Sequence, residues 1–181
     1  MLFLPTLPKI KFMLRRCFLI LVLISLQMAC TDSYSIFSTK YTVSFSCNLS
    51  DVPFNSINTL GYFLSVRPKS TKDGYKVILP DGTEREYPYT EVESRVFQYG
   101  LAGLIIGKPY FGDGVVYAYD LGCPQCDRGS VRLTVDLLGE AKCHRCGTIY
   151  KLNNDGVAEN GGHPLYRYQT SLNGTFLTVH N

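Results

Sequence analysis

What this chain lacks narrows its reading first. It has no G-x-S-x-G, no H-E-x-x-H, no P-loop and no G-x-G-x-x-G behind a strand. The common signatures of nucleophilic, metallopeptidase, phosphoryl-transfer and dinucleotide chemistry are therefore missing. Its carboxylates, such as Asp120 and Glu140, have no partner at a spacing that suggests acid–base work. The chain is expected not to be an enzyme. It also lacks a helical repeat period, a low-complexity tract, and an apolar run of the roughly 20 residues that a spanning helix needs. Nor does it carry a block of Lys and Arg beyond residue 30. Taking Lys9, Lys11, Arg15 and Arg16 from the 18 basic residues leaves 14 against 15 acidic ones, so the formal net charge of +3 belongs to the leader. Nothing remains to form an electrostatic footprint for nucleic acid.

The leader itself is legible. Those four cations precede residues 17–26, CFLILVLISL, a charge-free apolar run of signal-peptide length. The run leads into Gln27-Met28-Ala29-Cys30. A small residue just before a cysteine is similar to the lipobox of bacterial lipoproteins, in which that cysteine carries a diacylglyceryl group. The usual Leu three residues before the cysteine is replaced here by Gln27, with Leu26 one place further back. Met13-Leu14-Arg15-Arg16 opens straight into the apolar run and is a candidate true start. Residues 1–30 are thus expected to be a signal peptide, Cys30 a lipidation site, and residues 31–40 a polar tether, with a cleaved secretory signal without lipid or an uncleaved anchor as the alternatives. The product would be a membrane-anchored lipoprotein of the bacterial cell envelope, in the periplasm or at the outer membrane. Its partners would be the membrane, through the lipid on Cys30, and a protein or redox partner that the sequence does not name.

Seven cysteines are present. Cys17 falls in the leader and Cys30 at its end. Cys47 lies in residues 41–49, YTVSFSCNL, which alternate like a strand, and reads as a small buried apolar residue. The other four form two pairs, Cys123-Pro-Gln-Cys126 and Cys143-His-Arg-Cys146-Gly147, separated by sixteen residues. Two C-x-x-C pairs at this separation put four thiolates within reach of one metal centre. Pro124 stiffens the first loop, and Gly147 supplies the backbone freedom needed to wrap a sulfur. An exported protein also permits disulfides, so two disulfides or free thiols stay open beside a metal. His144 is expected to face outward or to donate to a sulfur, and His163 to lie at the surface. Lys142, Arg145 and Arg128 would offset the charge of four thiolates or simply be solvated.

Between these landmarks the chain reads as all-β. Alternating or aromatic-rich runs at 60–66, 75–79, 83–87, 101–106, 115–119, 130–137, 141–143, 148–152, 157–158, 166–171 and 175–180 predict strands. Pro80-Asp81-Gly82, Asn153-Asn154-Asp155-Gly156 and Asn173-Gly174 supply turns. Residues 89–98 form the one helix candidate. Thirteen tyrosines and ten phenylalanines suit a pleated, half-buried surface. Without accompanying charge they do not suggest a base-stacking platform.

The residues around the cysteine pairs resemble a family. Residues 116–124 read V-Y-A-Y-D-L-G-C-P and residues 143–152 read C-H-R-C-G-T-I-Y-K-L. After them come Asp155-Gly156, then G-G-H-P-L-Y-R-Y at 161–168 and G-T-F-L-T-V at 174–179. This order is similar to that of the Rieske iron–sulfur domain, over roughly residues 100–181. The resemblance implies a Rieske-like antiparallel β sandwich or barrel over residues 41–181, with a small rubredoxin-like metal-binding subdomain at about 116–165. Rieske centres take Cys-x-His and Cys-x-x-His, one iron held by both cysteines and the other by both histidines. Cys123 and Cys143 match the family's cysteines. Gln125 stands at the first histidine place, with Cys126 one residue later, and Cys146 stands at the second. Two-histidine chemistry therefore does not carry over. A tetrahedral Zn²⁺ bound by Cys123, Cys126, Cys143 and Cys146 is favoured over an all-cysteine [2Fe–2S] cluster for electron transfer, with a rubredoxin-like single iron behind both. The alternative function is a non-redox envelope module with Zn(Cys)₄ or disulfides.

Overall fold

The computed structural model describes residues 35–112 and 114–181. The expected signal peptide and Cys30 lie outside the described residues, as do residues 31–34 of the expected tether. Residues Ile36–Asn181 form one compact unit. It is all-β, as the periodicity predicts, and every strand pairing in it is antiparallel.

The strands are β1 (Val43–Asn48), β2 (Phe63–Pro68), β3 (Gly74–Ile78), β4 (Glu84–Pro88), β5 (Gln98–Tyr99), β6 (Leu104–Gly107) and β7 (Tyr117–Asp120). They continue with β8 (Leu133–Val135), β9 (Glu140–Cys143), β10 (Ile149–Lys151), β11 (Val157–Ala158), β12 (Arg167–Asn173) and β13 (Phe176–His180). A short 3₁₀ turn covers Phe54–Asn58 and helix α1 covers Glu91–Val96. Helix α1 is shorter than the 89–98 expectation. Thr90 caps it: its side chain accepts from the Glu93 amide while the Glu93 carboxylate accepts from the Thr90 amide. That reciprocal box fixes the start. None of its residues is buried, so packing does not extend it.

Nine strands form one sheet in the order β4-β3-β2-β6-β7-β12-β13-β1-β5. Phe45 on β1 and Tyr75 on β3 come from opposite halves of that order, yet their rings lie 5.8 Å apart. The sheet therefore curls over itself around one core. Phe45, Phe54, Tyr75, Val77, Leu104, Ile106 and Val179 meet there, with Phe97 and Tyr87 against them. Strand β1 shows how the sequence drives this: Val43, Phe45 and Cys47 turn inward while Ser44, Ser46 and Asn48 do not.

The chain between β7 and β12 builds a second, four-stranded sheet in the order β11-β10-β9-β8. One face of it packs on the back of the large sheet. Leu133, Val135, Ala141, Tyr150 and Leu152 meet Phe63, Ile105, Tyr119 and Leu121 there. Strands β6 and β7 thus separate two cores. Leu104, Ile106 and Ala118 face the first, and Ile105 and Tyr119 face the second. This explains why β6 reads as an unbroken apolar run rather than an alternating one.

Candidate metal centre

The first cysteine loop leaves β7 under the control of Asp120. This carboxylate is fully buried. One oxygen accepts from the Gly122 amide at 2.6 Å and the Ala102 amide at 3.2 Å; the other accepts from the Leu101 amide and the Tyr168 hydroxyl, both at 2.6 Å. Burial pushes its carboxyl above the usual carboxylate range, while these four donors pull it back. Gly122 then pairs with Arg132, and the Cys123 amide donates to the Val131 carbonyl at 3.2 Å. Both ends of the loop are so tied together. Within it the Cys123 carbonyl accepts from the amides of Cys126 (3.1 Å) and Asp127 (2.8 Å), wrapping the backbone back toward the sulfur.

The second loop joins β9 to β10. The Cys143 carbonyl accepts from the Gly147 amide at 2.9 Å, and the Cys143 amide donates to the Thr148 carbonyl at 2.9 Å. Gly147 has φ of 78°, a conformation that disfavours a side chain. The two loops therefore share one design: a cysteine at a strand end, a turn closed onto its carbonyl, and a second cysteine in the turn.

The four sulfurs converge. All lie within 4.8 Å of one another, and they form the one such cluster of metal-ligating side chains among the described residues. Two approaches run across the loops, Cys123 to Cys146 at 3.6 Å and Cys126 to Cys143 at 3.9 Å. These are far longer than the roughly 2.05 Å of a disulfide, and all four are free thiols. Cys123 and Cys143 are buried at the rim of the second core, Cys126 is half-buried and Cys146 is exposed. Four cysteines so placed can bind one metal ion.

The surroundings favour thiolate at Cys146, the exposed sulfur, alone of the two on the turns. The Tyr150 hydroxyl lies 3.4 Å from the Cys123 sulfur, and the Thr148 hydroxyl 3.2 Å from that of Cys146. Burial raises Cys146, but the Thr148 hydroxyl and amide, with Cys143 and Cys123, outweigh it and bring the thiol down to about 6. Burial pushes Cys126 up to about 12, and its three cysteine neighbours add to this. Cys143 is raised by burial against the pull of the Cys146 and Arg145 amides. Four ionised sulfurs this close repel one another, and a bound cation is what lets them lose their protons together.

The other residues singled out by sequence fall outside the cluster. His144 Nε2 sits 3.0 Å from the Thr134 hydroxyl, which fits its expected outward orientation. His163 is exposed. Lys142, Arg145 and Arg128 are exposed and carry no ion pair among the described residues. Cys47 lies on β1, opposite Leu177, with its thiol pushed up to about 12 by burial.

Two features were not legible as part of the site. One is Asp120, whose role depends on partners far along the chain. The other is Lys40, placed in the tether by sequence. Its ammonium donates to Asp127 at 2.7 Å and to the Tyr166 hydroxyl at 3.0 Å, and the Tyr41 hydroxyl donates to Asp127 at 2.7 Å. Asp127 follows Cys126 directly and has a left-handed φ of 46°. The start of the domain thus grips the first cysteine loop. No protein-family model matches this chain, and no curated protein matches it significantly in sequence.

Proposed function

We propose that Cys123, Cys126, Cys143 and Cys146 hold a single Zn²⁺, and that the protein is an exported, lipid-anchored, non-catalytic module of the bacterial envelope on a Rieske-like scaffold. The observation that carries this reading is the mutual proximity of the four sulfurs, all within 4.8 Å. A tetrahedron with Zn–S near 2.3 Å has edges of about 3.8 Å, and the cross-loop pairs stand at 3.6 and 3.9 Å. A two-iron cluster instead holds one pair of thiolates at each end of a sulfide-bridged core, which spreads the four sulfurs more widely. The metal would fasten the cysteine turn between β7 and β8 to the one between β9 and β10. Export and lipid attachment draw on the leader sequence and Cys30. The second reading is an all-cysteine [2Fe–2S] centre for electron transfer. It draws on the Rieske resemblance and on Tyr150, whose hydroxyl near Cys123 would tune a cluster's potential.

The test is metal analysis and a visible spectrum of the full chain, purified anaerobically in detergent. A colourless protein with one zinc per chain is expected, with Cys126→Ser and Cys146→Ser losing the metal and Cys47→Ser keeping it. Visible bands with two irons and two sulfides per chain would overturn the zinc reading in favour of the second. A protein with neither metal nor free thiols would reject both.

A further inference from the structure

A cleft of about 470 Å³ opens where the β2–β3 turn, the end of helix α1 and the 99–102 turn meet. That is an ordinary size for a small-molecule site. Leu101 and Ala102 line the cleft, with their amides held by Asp120. One wall is aromatic: Tyr89, Phe97 and Tyr99 line it, and the two tyrosine hydroxyls lie 3.1 Å apart. The charged residues of the lining are all of one sign. Lys69, Lys72 and Arg132 line the cleft, and no carboxylate does.

These three cations are not equivalent. Lys69 is balanced by Asp73 and Glu86, each at 3.2 Å. Lys72 and Arg132 have no ion pair among the described residues. Glu93, whose charge acts on both tyrosines, is occupied in the cap of helix α1. Arg132 is positioned by its Nε, which donates to the Ala102 carbonyl at 3.1 Å. Its terminal nitrogens make no hydrogen bond among the described residues and no side-chain polar atom is stranded in the interior, so they reach the cleft or solvent. A guanidinium fixed at one nitrogen with its fork free is suited to a carboxylate or phosphate, which it can hold through two parallel hydrogen bonds.

We infer that this cleft binds a small organic anion: an acidic group on the Arg132 fork with Lys72 as second charge, and an apolar body along the Tyr89–Phe97–Tyr99 wall. Arg132 is also the residue whose backbone pairs with Gly122, next to Cys123. The cleft and the cysteine loop so share one junction, but anion binding does not depend on which metal the cysteines hold.

The probe is 1-naphthyl phosphate, titrated by its fluorescence into the full chain in detergent. Inorganic phosphate and 1-naphthol are the two control ligands. The naphthyl phosphate is expected to bind below about 1 mM, with each control at least tenfold weaker. Arg132→Gln should weaken it by about tenfold or more, since a charge-assisted hydrogen bond is lost. Arg132→Lys, which keeps charge but not the fork, should fall between. Lys72→Gln, in an exposed turn, supplies a second variant should Arg132→Gln not fold. It should weaken binding and flatten the salt dependence at unchanged melting temperature. Absence of saturable binding by the wild type overturns the inference. So does equal binding of 1-naphthol, which would make the cleft merely apolar, or wild-type affinity in both glutamine variants.

Discussion

Replacing Asp120 with Asn should cost far more than an isosteric change usually does. The carboxylate faces donors on both oxygens: the amides of Gly122 and Ala102 on one, the Leu101 amide and Tyr168 hydroxyl on the other. An Asn must turn its NH₂ toward one of these pairs. Toward Gly122 and Ala102 it opposes two amides. Toward Leu101 and Tyr168 it opposes one, since the tyrosine hydroxyl can rotate to accept. At least one buried N–H is therefore left facing another donor, and the charge that strengthened the remaining bonds is gone. An unsatisfied buried donor costs about 1–3 kcal/mol, and each lost charge-assisted bond adds to it. The expected loss is about 2–4 kcal/mol, or roughly 4–16 °C in melting temperature for a domain of this size. Tyr168→Phe removes one donor and should cost about 1.5–3 kcal/mol. The double variant should be less destabilised than the sum, because the two changes break the same bond. Urea unfolding of all four proteins measures this. A near-neutral Asp120→Asn would refute the reasoning. It would mean that the carboxyl is already neutral in the fold, with burial having won over the four donors.

Two further outcomes follow from other groups. Burial holds the Cys47 thiol up at about 12, whereas an unfolded thiol ionises near 8.5. The folded state then keeps a proton that the unfolded state releases, so this group's stabilising contribution is complete below pH 8.5. It is lost as pH rises toward 12, by about 1.4 kcal/mol per unit. The destabilisation caused by Cys47→Ala should accordingly shrink by about 2 kcal/mol between pH 7 and pH 10; a constant difference in urea unfolding would contradict it. Lys40→Ala removes the ammonium that bridges Asp127 and Tyr166. In the metal-loaded chain it should speed metal release to a chelator while barely moving the melting temperature, since exposed ion pairs contribute little to global stability. Unchanged release kinetics would show that the contact does not steady the cysteine loop.

Local pattern was a good guide to the strands and a poor guide to their closure. Residues 41–49 alternate, and β1 alternates as they predict. Asn173-Gly174 turns β12 into β13, with Gly174 at φ of 60°. Pro80-Asp81-Gly82 joins β3 to β4, and the Asp81 carboxylate accepts from the Thr83 amide at 2.8 Å. These features depend on neighbours within a few residues, so composition carries them. Strand limits moved by a few residues where tertiary partners decide them: residues 130–137 read as one strand, but only Leu133–Val135 find partners on β9. The pairing of β7 with β12, which makes room for the small sheet, has no local signature at all. The same holds within the site. The spacing of the four cysteines announces itself, whereas Asp120 is recognisable only once Leu101 and Tyr168 have been brought to it.

The arrangement of the two cores explains why the cysteine cluster can be compact. Cys123 and Cys143 are members of the second core, each fully buried. One is fixed by the end of β7 through Asp120 and the other by the end of β9, so the inner pair is positioned by packing and strand pairing. Cys126 and Cys146 belong to turns closed by backbone bonds onto the carbonyls of that inner pair, and they are the more exposed two. A metal ion arriving at such a site meets two anchored sulfurs and needs to order only the two on the turns. That division lowers the conformational cost of binding relative to four ligands on free loops. It also locates the weak point of the centre at the outer turns. There Lys40 and Tyr41 brace Asp127 on one side, and the Thr148 hydroxyl meets the Cys146 sulfur on the other.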